Sequence, residues 1–358
     1  MAAAAPAQNL WTRQIGIQGG FARTKEAGTG QSDHTDVFGI PTLSAGALLP
    51  TGAALFAIIP VSPKIAVEPS FAHAQLTDAT GIGAALEAVS VGLRLDYALS
   101  SRFYAALGPS YTLTSSLGSG TLKQFGLQAA AGYRLTLSSA LSGRLEAKWT
   151  TWGKTDDLPP TNVYAVEFGL STPLGGAARR APARAPAGRA WRPELGLRGG
   201  YSRVHLVSEG DAALLALPGF TNLLAAAGLA APTSVFATFP VGQRWAVEPG
   251  LELLRAQSGG ITQTGAHVSA RLNYSVNDHW YAAAGGNLLY RRNTGADAAT
   301  TTGANLAWGY RFPMMGALGG RVELSYIAIG ANADYTALTG NGASNTFSVT
   351  FGLTMPLK

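Results

Sequence analysis

The chain carries one ordered set of segments twice. IGIQGGFAR (15–23) returns as LGLRGGYSR (195–203) and IAVEPSF (65–71) as WAVEPGL (245–251), both 180 residues later. VSVGLRLDY (89–97) returns as AHVSARLNY (266–274), RFYAALG (102–108) as HWYAAAG (279–285), and SGRLEAKW (142–149) as GGRVELSY (319–326), at an offset of 177. AVEFGLSTPL (165–174) matches SVTFGLTMPL (348–357) at 183. The order is kept and the offset drifts only in polar stretches, so one structural unit is used twice. The reading gives an N-terminal tail (1–13), a first repeat (14–174), a linker (175–193) and a second repeat (194–358). The linker, GGAARRAPARAPAGRAWRP, has the Ala, Pro and Arg content of a connecting segment.

Within each unit the apolar period is two. Val89, Val91, Leu93, Leu95 and Tyr97 alternate with Ser90, Gly92, Arg94 and Asp96, the pattern of a strand with two unlike faces. Eight such runs are expected in the first unit, near 14–24, 52–61, 64–76, 88–98, 102–114, 123–136, 142–153 and 162–173, and eight again in the second. Tight connections such as Ser62-Pro63, Ser100-Ser101 and Asn277-Asp278 alternate with longer polar ones such as 25–40 and 77–87. Short turns at one end and long loops at the other predict an all-β chain: two tandem up-and-down antiparallel eight-stranded transmembrane β-barrels. One sixteen-stranded barrel is the alternative.

The two faces decide what each side meets. One carries Gly, Ala, Ser, Thr and a few charges; the other carries Val, Leu, Ile, Phe, Trp and Tyr. Small residues suit a narrow barrel interior and bulky apolar ones suit lipid. Tyr97, Phe103, Tyr133, Trp245, Tyr274, Trp280 and Tyr310 fall beside the short turns, as expected of an interfacial girdle. The charges keep to the small-residue parity: Glu68, Arg94, Arg134, Arg144 and Glu146 recur as Glu248, Arg271, Arg311, Arg321 and Glu323, whereas Lys148 and Glu167 do not recur as charges. An ionised side chain facing lipid near the midplane would cost ~2–4 kcal/mol, so that parity is expected to point inward, with acids and bases paired as a plug.

On these features the chain resembles the OmpA-like, porin-like family of eight-stranded outer-membrane barrels, duplicated in tandem. The resemblance covers both units and rests on strand count, loop asymmetry, the AVEP runs at 66–69 and 246–249, and the inward charges. It implies a bacterial outer-membrane location and an interior salt-bridge network on Glu68, Arg94, Arg134, Arg144 and Glu146. The chain ends in Pro356-Leu357-Lys358, without the terminal aromatic typical of the family.

Other chemistry is sparse. The formal net charge of +6 comes mostly from Arg179, Arg180, Arg184, Arg189 and Arg192 in the linker, and no basic stripe follows, so nucleic acid is not an expected partner. There is no cysteine. The histidines are scattered; only His34, in Asp33-His34-Thr35-Asp36, lies among acids, and a solvated loop is expected there over a metal or hydrolytic site. The glycine runs at 28–30 and 118–120 read as turns. No cofactor and no metal is expected, and the chain is read as not an enzyme. Ala5-Pro6-Ala7 before Gln8 resembles the end of a removed export signal. The segments 37–51 and 216–233 are apolar where a polar loop is expected. They are read either as an extended second strand facing lipid or as a surface for a protein, a lipid or the sister barrel. The functional expectation is a structural, anchoring or partner-binding membrane protein with filled interiors; a passive diffusion porin is the alternative.

Overall fold

The computed structural model describes residues 10–357 except 27–33, 41–53, 79–85, 117–119, 137–141, 155–159, 175–189, 207–209, 217–234, 259–260, 314–318 and 340–341. The first unit contains β1 (Gln14–Glu26), β2 (His34–Ile40), β3 (Ala54–Pro60), β4 (Ile65–Asp78), β5 (Leu86–Ala98), β6 (Phe103–Ser116), β7 (Gly120–Thr136), β8 (Ser142–Trp152) and β9 (Thr161–Pro173). The second contains β10 (Glu194–Leu206), β11 (Gly210–Ala216), β12 (Val235–Pro240), β13 (Trp245–Ser258), β14 (Ile261–Ser275), β15 (Trp280–Asn293), β16 (Ala299–Pro313), β17 (Gly319–Ile329) and β18 (Ser344–Pro356), with one short helix, α1 (Ala333–Thr339), before β18. Among the described residues no helix is long and apolar enough to cross a membrane.

The chain forms two closed eight-stranded antiparallel barrels in tandem. The first closes where β1 meets β9, from Gln14 opposite Pro173 to Glu26 opposite Thr161. The second closes where β10 meets β18, from Glu194 opposite Pro356 to Leu206 opposite Ser344. Between these seams each strand pairs with its successor, except at the second strand.

That exception corrects the sequence reading. Residues 34–36 fall in a stretch expected to be a loop and 37–40 at the start of a segment read either as an extended second strand or as a partner surface; together they form β2, and Gly210–Ala216 form β11 at the matching place. HTDVFGI has no clean alternation, so periodicity does not reveal a strand held on both edges by backbone hydrogen bonds. β1 pairs with β3 over Gln14–Gln18 and with β2 over Phe21–Lys25. β2 in turn pairs with β13 of the second unit, and β11 with β4 of the first.

The tight turns have a recurring local cause. Ser62 and Ser100 accept hydrogen bonds at their Oγ atoms from the backbone amides of Ile65 and Phe103, each at 3.0 Å. Asn277 Oδ1 accepts from His279 and Trp280 at 2.9 and 2.8 Å. A short polar side chain thus satisfies the donors at the base of these three hairpins.

Burial alternates along the strands. On β5, Leu93 and Leu95 are 50% and 58% exposed, while Arg94 and Asp96 between them are buried. Phe125, Leu107, Leu306 and Phe168 likewise stand outward, and most of the described buried residues are polar or charged. A charged interior inside an apolar exterior inverts the order of a soluble sheet protein and makes this an integral membrane β-barrel.

Candidate functional site

Each barrel is crossed near its short-turn end by a layer of interlocked charges. In the first, Glu68 on β4 is directly opposite Arg94 on β5. Period two puts both side chains inward. Arg94 lies 2.9 Å from Glu68, reaches the Glu146 carboxylate with Nη1 and Nη2 at 2.7 and 2.5 Å, and brings Nε to 3.1 Å from Asp96. Arg144 on β8 donates to both oxygens of Glu68, its Nη2 at 3.0 Å from Oε1. One arginine therefore bridges two glutamates and a second closes on one of them. The fork geometry of guanidinium and carboxylate satisfies most of the charge that burial would leave exposed to low dielectric.

The second barrel builds the same layer with one more arginine. Arg271 donates from Nε to Glu248 at 2.9 Å and with both Nη atoms to Glu323 at 2.7 and 2.5 Å. Arg198 on β10 joins Glu248 and Glu323 at 2.5 and 3.0 Å. Arg321 binds Glu248 at 2.7 Å and Glu194 at 2.9 Å. The position of Arg198 is held in the first barrel by Gln18, which donates to Glu167 at 2.6 Å. Glu167 also takes Lys148 at 2.5 Å. The two charges that do not recur thus pair with each other.

Beneath each layer lies an aromatic stack that the sequence reading did not pick out. Tyr104 donates its hydroxyl to Glu146 at 2.6 Å, and Tyr281 to Glu323 at 2.7 Å. Trp11, from the segment before β1, meets Tyr104 edge-on at 5.6 Å; Trp191, from the end of the linker, meets Tyr281 at 5.4 Å. Both indoles are anchored by Nε1 to a backbone carbonyl in the short turn, Trp11 to Lys64 at 3.0 Å and Trp191 to Arg244 at 2.9 Å. Phe56 and Phe236 lie under arginines, with Arg144 3.6 Å above the first ring and Arg198 4.1 Å above the second. The signal was present in the recurrence of tyrosine and tryptophan at matched positions, Tyr104 with Tyr281 and Trp11 with Trp191.

Glycine admits these rings. A Cβ on Gly132 would lie 2.1 Å from the Tyr104 ring, and one on Gly309 2.2 Å from the Tyr281 ring. No side chain fits there without displacing the tyrosine.

Arg134 and Arg311 do not join the network, which corrects the expectation for both. They sit one layer nearer the short turns, where the facing groups are carbonyls. Arg134 donates to Leu10 and Ser100 carbonyls at 2.6 and 2.9 Å and covers the Trp11 ring at 4.1 Å. Arg311 donates to the Ala190 carbonyl at 2.9 Å and covers Trp191 at 3.8 Å. They fasten the tryptophans from below.

The aromatics assigned to the interface stand on the outer wall beside the short turns. Phe103 and Tyr133 pack at 4.9 Å, Trp245 and Tyr274 at 4.6 Å, and Trp280 and Tyr310 at 4.9 Å. Tyr97 is also exposed there. Arg102 and Arg244 in the turns donate to the Tyr133 and Tyr274 hydroxyls at 3.2 and 3.3 Å, the placement favoured where a ring sits in lipid and its hydroxyl meets head groups.

Above the charged layer the second barrel is filled as well. A void of about 10 Å³ among Arg198, Arg271, Asn287 and Ile327 has room for one water at most. Higher still, Leu289, Ile327 and Ile329 turn inward and are covered by Tyr335 of α1. Among the described residues no group of three or more His, Asp or Glu is arranged to hold a metal. Asp33 and most of 37–51 and 216–233 lie outside the described residues, as does Ala5-Pro6-Ala7; His34 and Asp36 belong to β2.

No family model and no curated protein matches the chain. Among solved structures, a Pseudomonas aeruginosa FadL homologue is similar at 12% identity and a TM-score of 0.28, over 97% of this chain and 91% of that one. Ail, the attachment invasion locus protein of Yersinia pestis, is similar at 17% and 0.25, over 45% of this chain and 96% of its own. A loop-deleted OmpT, an outer membrane protein of Vibrio cholerae, is similar at 9% and 0.26, over 96% and 99%. The expectation of a chain without enzymatic activity is withdrawn: these neighbours are a varied set, OmpT among them, and such a likeness decides neither for an enzyme nor against one.

Proposed function

We propose that this chain is an exported protein of the bacterial outer membrane, related in design to the OmpA-like barrels, whose two lumens are closed and whose role is structural, anchoring or partner-binding. The observation that carries the reading is the floor built twice, once from Glu68, Arg94, Arg144 and Glu146 over Tyr104 and Trp11, and once from Glu248, Arg271, Arg321 and Glu323 over Tyr281 and Trp191. Every member is tied to at least one other, and eight strands leave an interior that side chains just fill. The apolar belt and the aromatic girdle support the membrane, and the short-turn end would face the periplasm. The apolar segments 37–51 and 216–233 are the candidate surfaces for a protein or lipid partner.

The test is single-channel recording with the purified chain in a planar bilayer. Closed floors give little or no steady conductance. Stable openings of nanosiemens size overturn the reading in favour of a diffusion porin.

A further inference from the structure

The neighbours of each strand differ between the two ends of the molecule. At the short-turn end, β3 lies between β1 and β4, and β12 between β10 and β13, so two rings of eight close separately. At the long-loop end, β2 lies between β1 and β13, and β11 between β10 and β4. Followed around at that height, the order is β1, β2, β13 through β18, β10, β11, β4 through β9, and back to β1. That is one ring of sixteen strands. We infer that the two barrels are a strand-exchanged pair: each gives the outer half of its second strand to the other, and they share a single mouth.

The two exchanges obey the duplication residue for residue. Asp36 is opposite Gln257, and Ala213 is opposite Thr77. Asp36 and Ala213 are equivalent, being the partners of Arg23 and Arg203 at the 180-residue offset. Gln257 and Thr77 are equivalent at the same offset. A one-sided contact between barrels would have no reason to repeat in register. In an unexchanged pair Asp36 would face Thr77 instead, and Ala213 would face Gln257.

Local chain length makes the exchange possible. Along β1, between Gln18 and Phe21, the paired residue jumps from Ala54 to Phe38; along β10, between Leu197 and Gly200, it jumps from Val235 to Ala216. The second strand is therefore broken at mid-height, and its outer half is free to take a different neighbour on its far side. Among the described residues the receiving edges are filled: Ala74–Asp78 of β4 and Leu253–Gln257 of β13 are both paired. An unpaired edge would be the main penalty against such an arrangement. The consequence is that both floors lie beneath one mouth, and a partner approaching from the long-loop end meets a composite face made by both units.

The chain has no cysteine, so paired substitutions report proximity cleanly. In an antiparallel ladder one of any two adjacent pairs is a non-hydrogen-bonded pair with Cα atoms about 4.5 Å apart, within disulfide reach. The full chain, with a protease site placed in the 175–189 linker, is folded in lipid vesicles as Asp36→Cys/Gln257→Cys and as Val37→Cys/Ala256→Cys, oxidised, and cut. Exchange predicts that one of the two holds the halves together until reduction. Thr77→Cys/Ala213→Cys and Leu76→Cys/Leu214→Cys test the other junction and serve if the first variants do not fold. The comparison variants, Asp36→Cys/Thr77→Cys and Val37→Cys/Leu76→Cys, carry both cysteines in the first half, so they are read by thiol titration after oxidation and are expected to keep both thiols free. Linking in the comparison variants, a product at twice the chain mass, or no linking across either junction in folded protein overturns the inference.

Discussion

Tyr104 and Glu146 stand on strands that are not neighbours, yet the tyrosine hydroxyl donates to the carboxylate at 2.6 Å across the interior of the first barrel. Tyr281 and Glu323 do the same at 2.7 Å in the second. This cross-lumen bond ties the aromatic stack to the charged layer above it. Tyr104→Phe keeps the ring and removes one donor to a buried carboxylate, a loss of about 1.5–3 kcal/mol. Urea unfolding in lipid vesicles, followed by tryptophan fluorescence, checks it. An unchanged midpoint would show that the hydroxyl contributes nothing to the floor.

Glu68 is the carboxylate on which Arg144 depends, and Arg94 also leans on it. Glu68→Ala strands a buried guanidinium, and breaking such a pair from one side typically destabilises by ~3–5 kcal/mol. Glu68→Ala with Arg144→Met removes the orphan charge and is expected to be milder, although Arg94 keeps Glu146 in both variants. The same unfolding assay separates them. A double variant worse than the single one would contradict the pairing.

Gly132 and Gly309 are where the tyrosine rings touch the barrel wall. Gly132→Ala forces a Cβ into the ring and should destabilise by about 1–3 kcal/mol, the usual range for overpacking. Adding Tyr104→Ala to Gly132→Ala removes the clash, so the loss from the glycine change should shrink on that background. A double-mutant cycle reads this directly, and additive effects would rule out the contact.

Much of this arrangement was legible because a strand has a strict period of two and a short turn fixes register. Those facts put Glu68 and Arg94 at one level on the inward face, as they do Glu248 and Arg271, and they assign Leu93 and Arg94 to opposite faces; the ladder sets each acid directly opposite its arginine. Trp11 and Trp191 escaped because they precede their first strands, in stretches whose composition reads as tail and linker. Arg134 and Arg311 were misplaced because parity fixes the face and not the height. The pairing of β2 and β11 across the two units escaped for a different reason: a strand's partners are set by the chain's path through space, and alternation within one segment carries no record of them.

Leu93 and Arg94 test the assignment of the two faces most directly, because they are adjacent in the chain, 50% and 3% exposed, and meet different solvents. If the outer wall faces lipid, Leu93→Arg puts a charge against hydrocarbon and destabilises by ~2–4 kcal/mol near the midplane, less towards the interface. If the same wall faced water, an exposed leucine-to-arginine change away from any special feature would fall within about 0.5 kcal/mol of neutral. Leu95→Arg lies closer to the short turns than Leu93→Arg, and under lipid it should lose less; under water the two should be alike. Unfolding of both variants in vesicles, read against the unmodified chain, distinguishes the two solvents. A silent Leu93→Arg would return the bulky face to water and remove the ground for reading this chain as a membrane barrel.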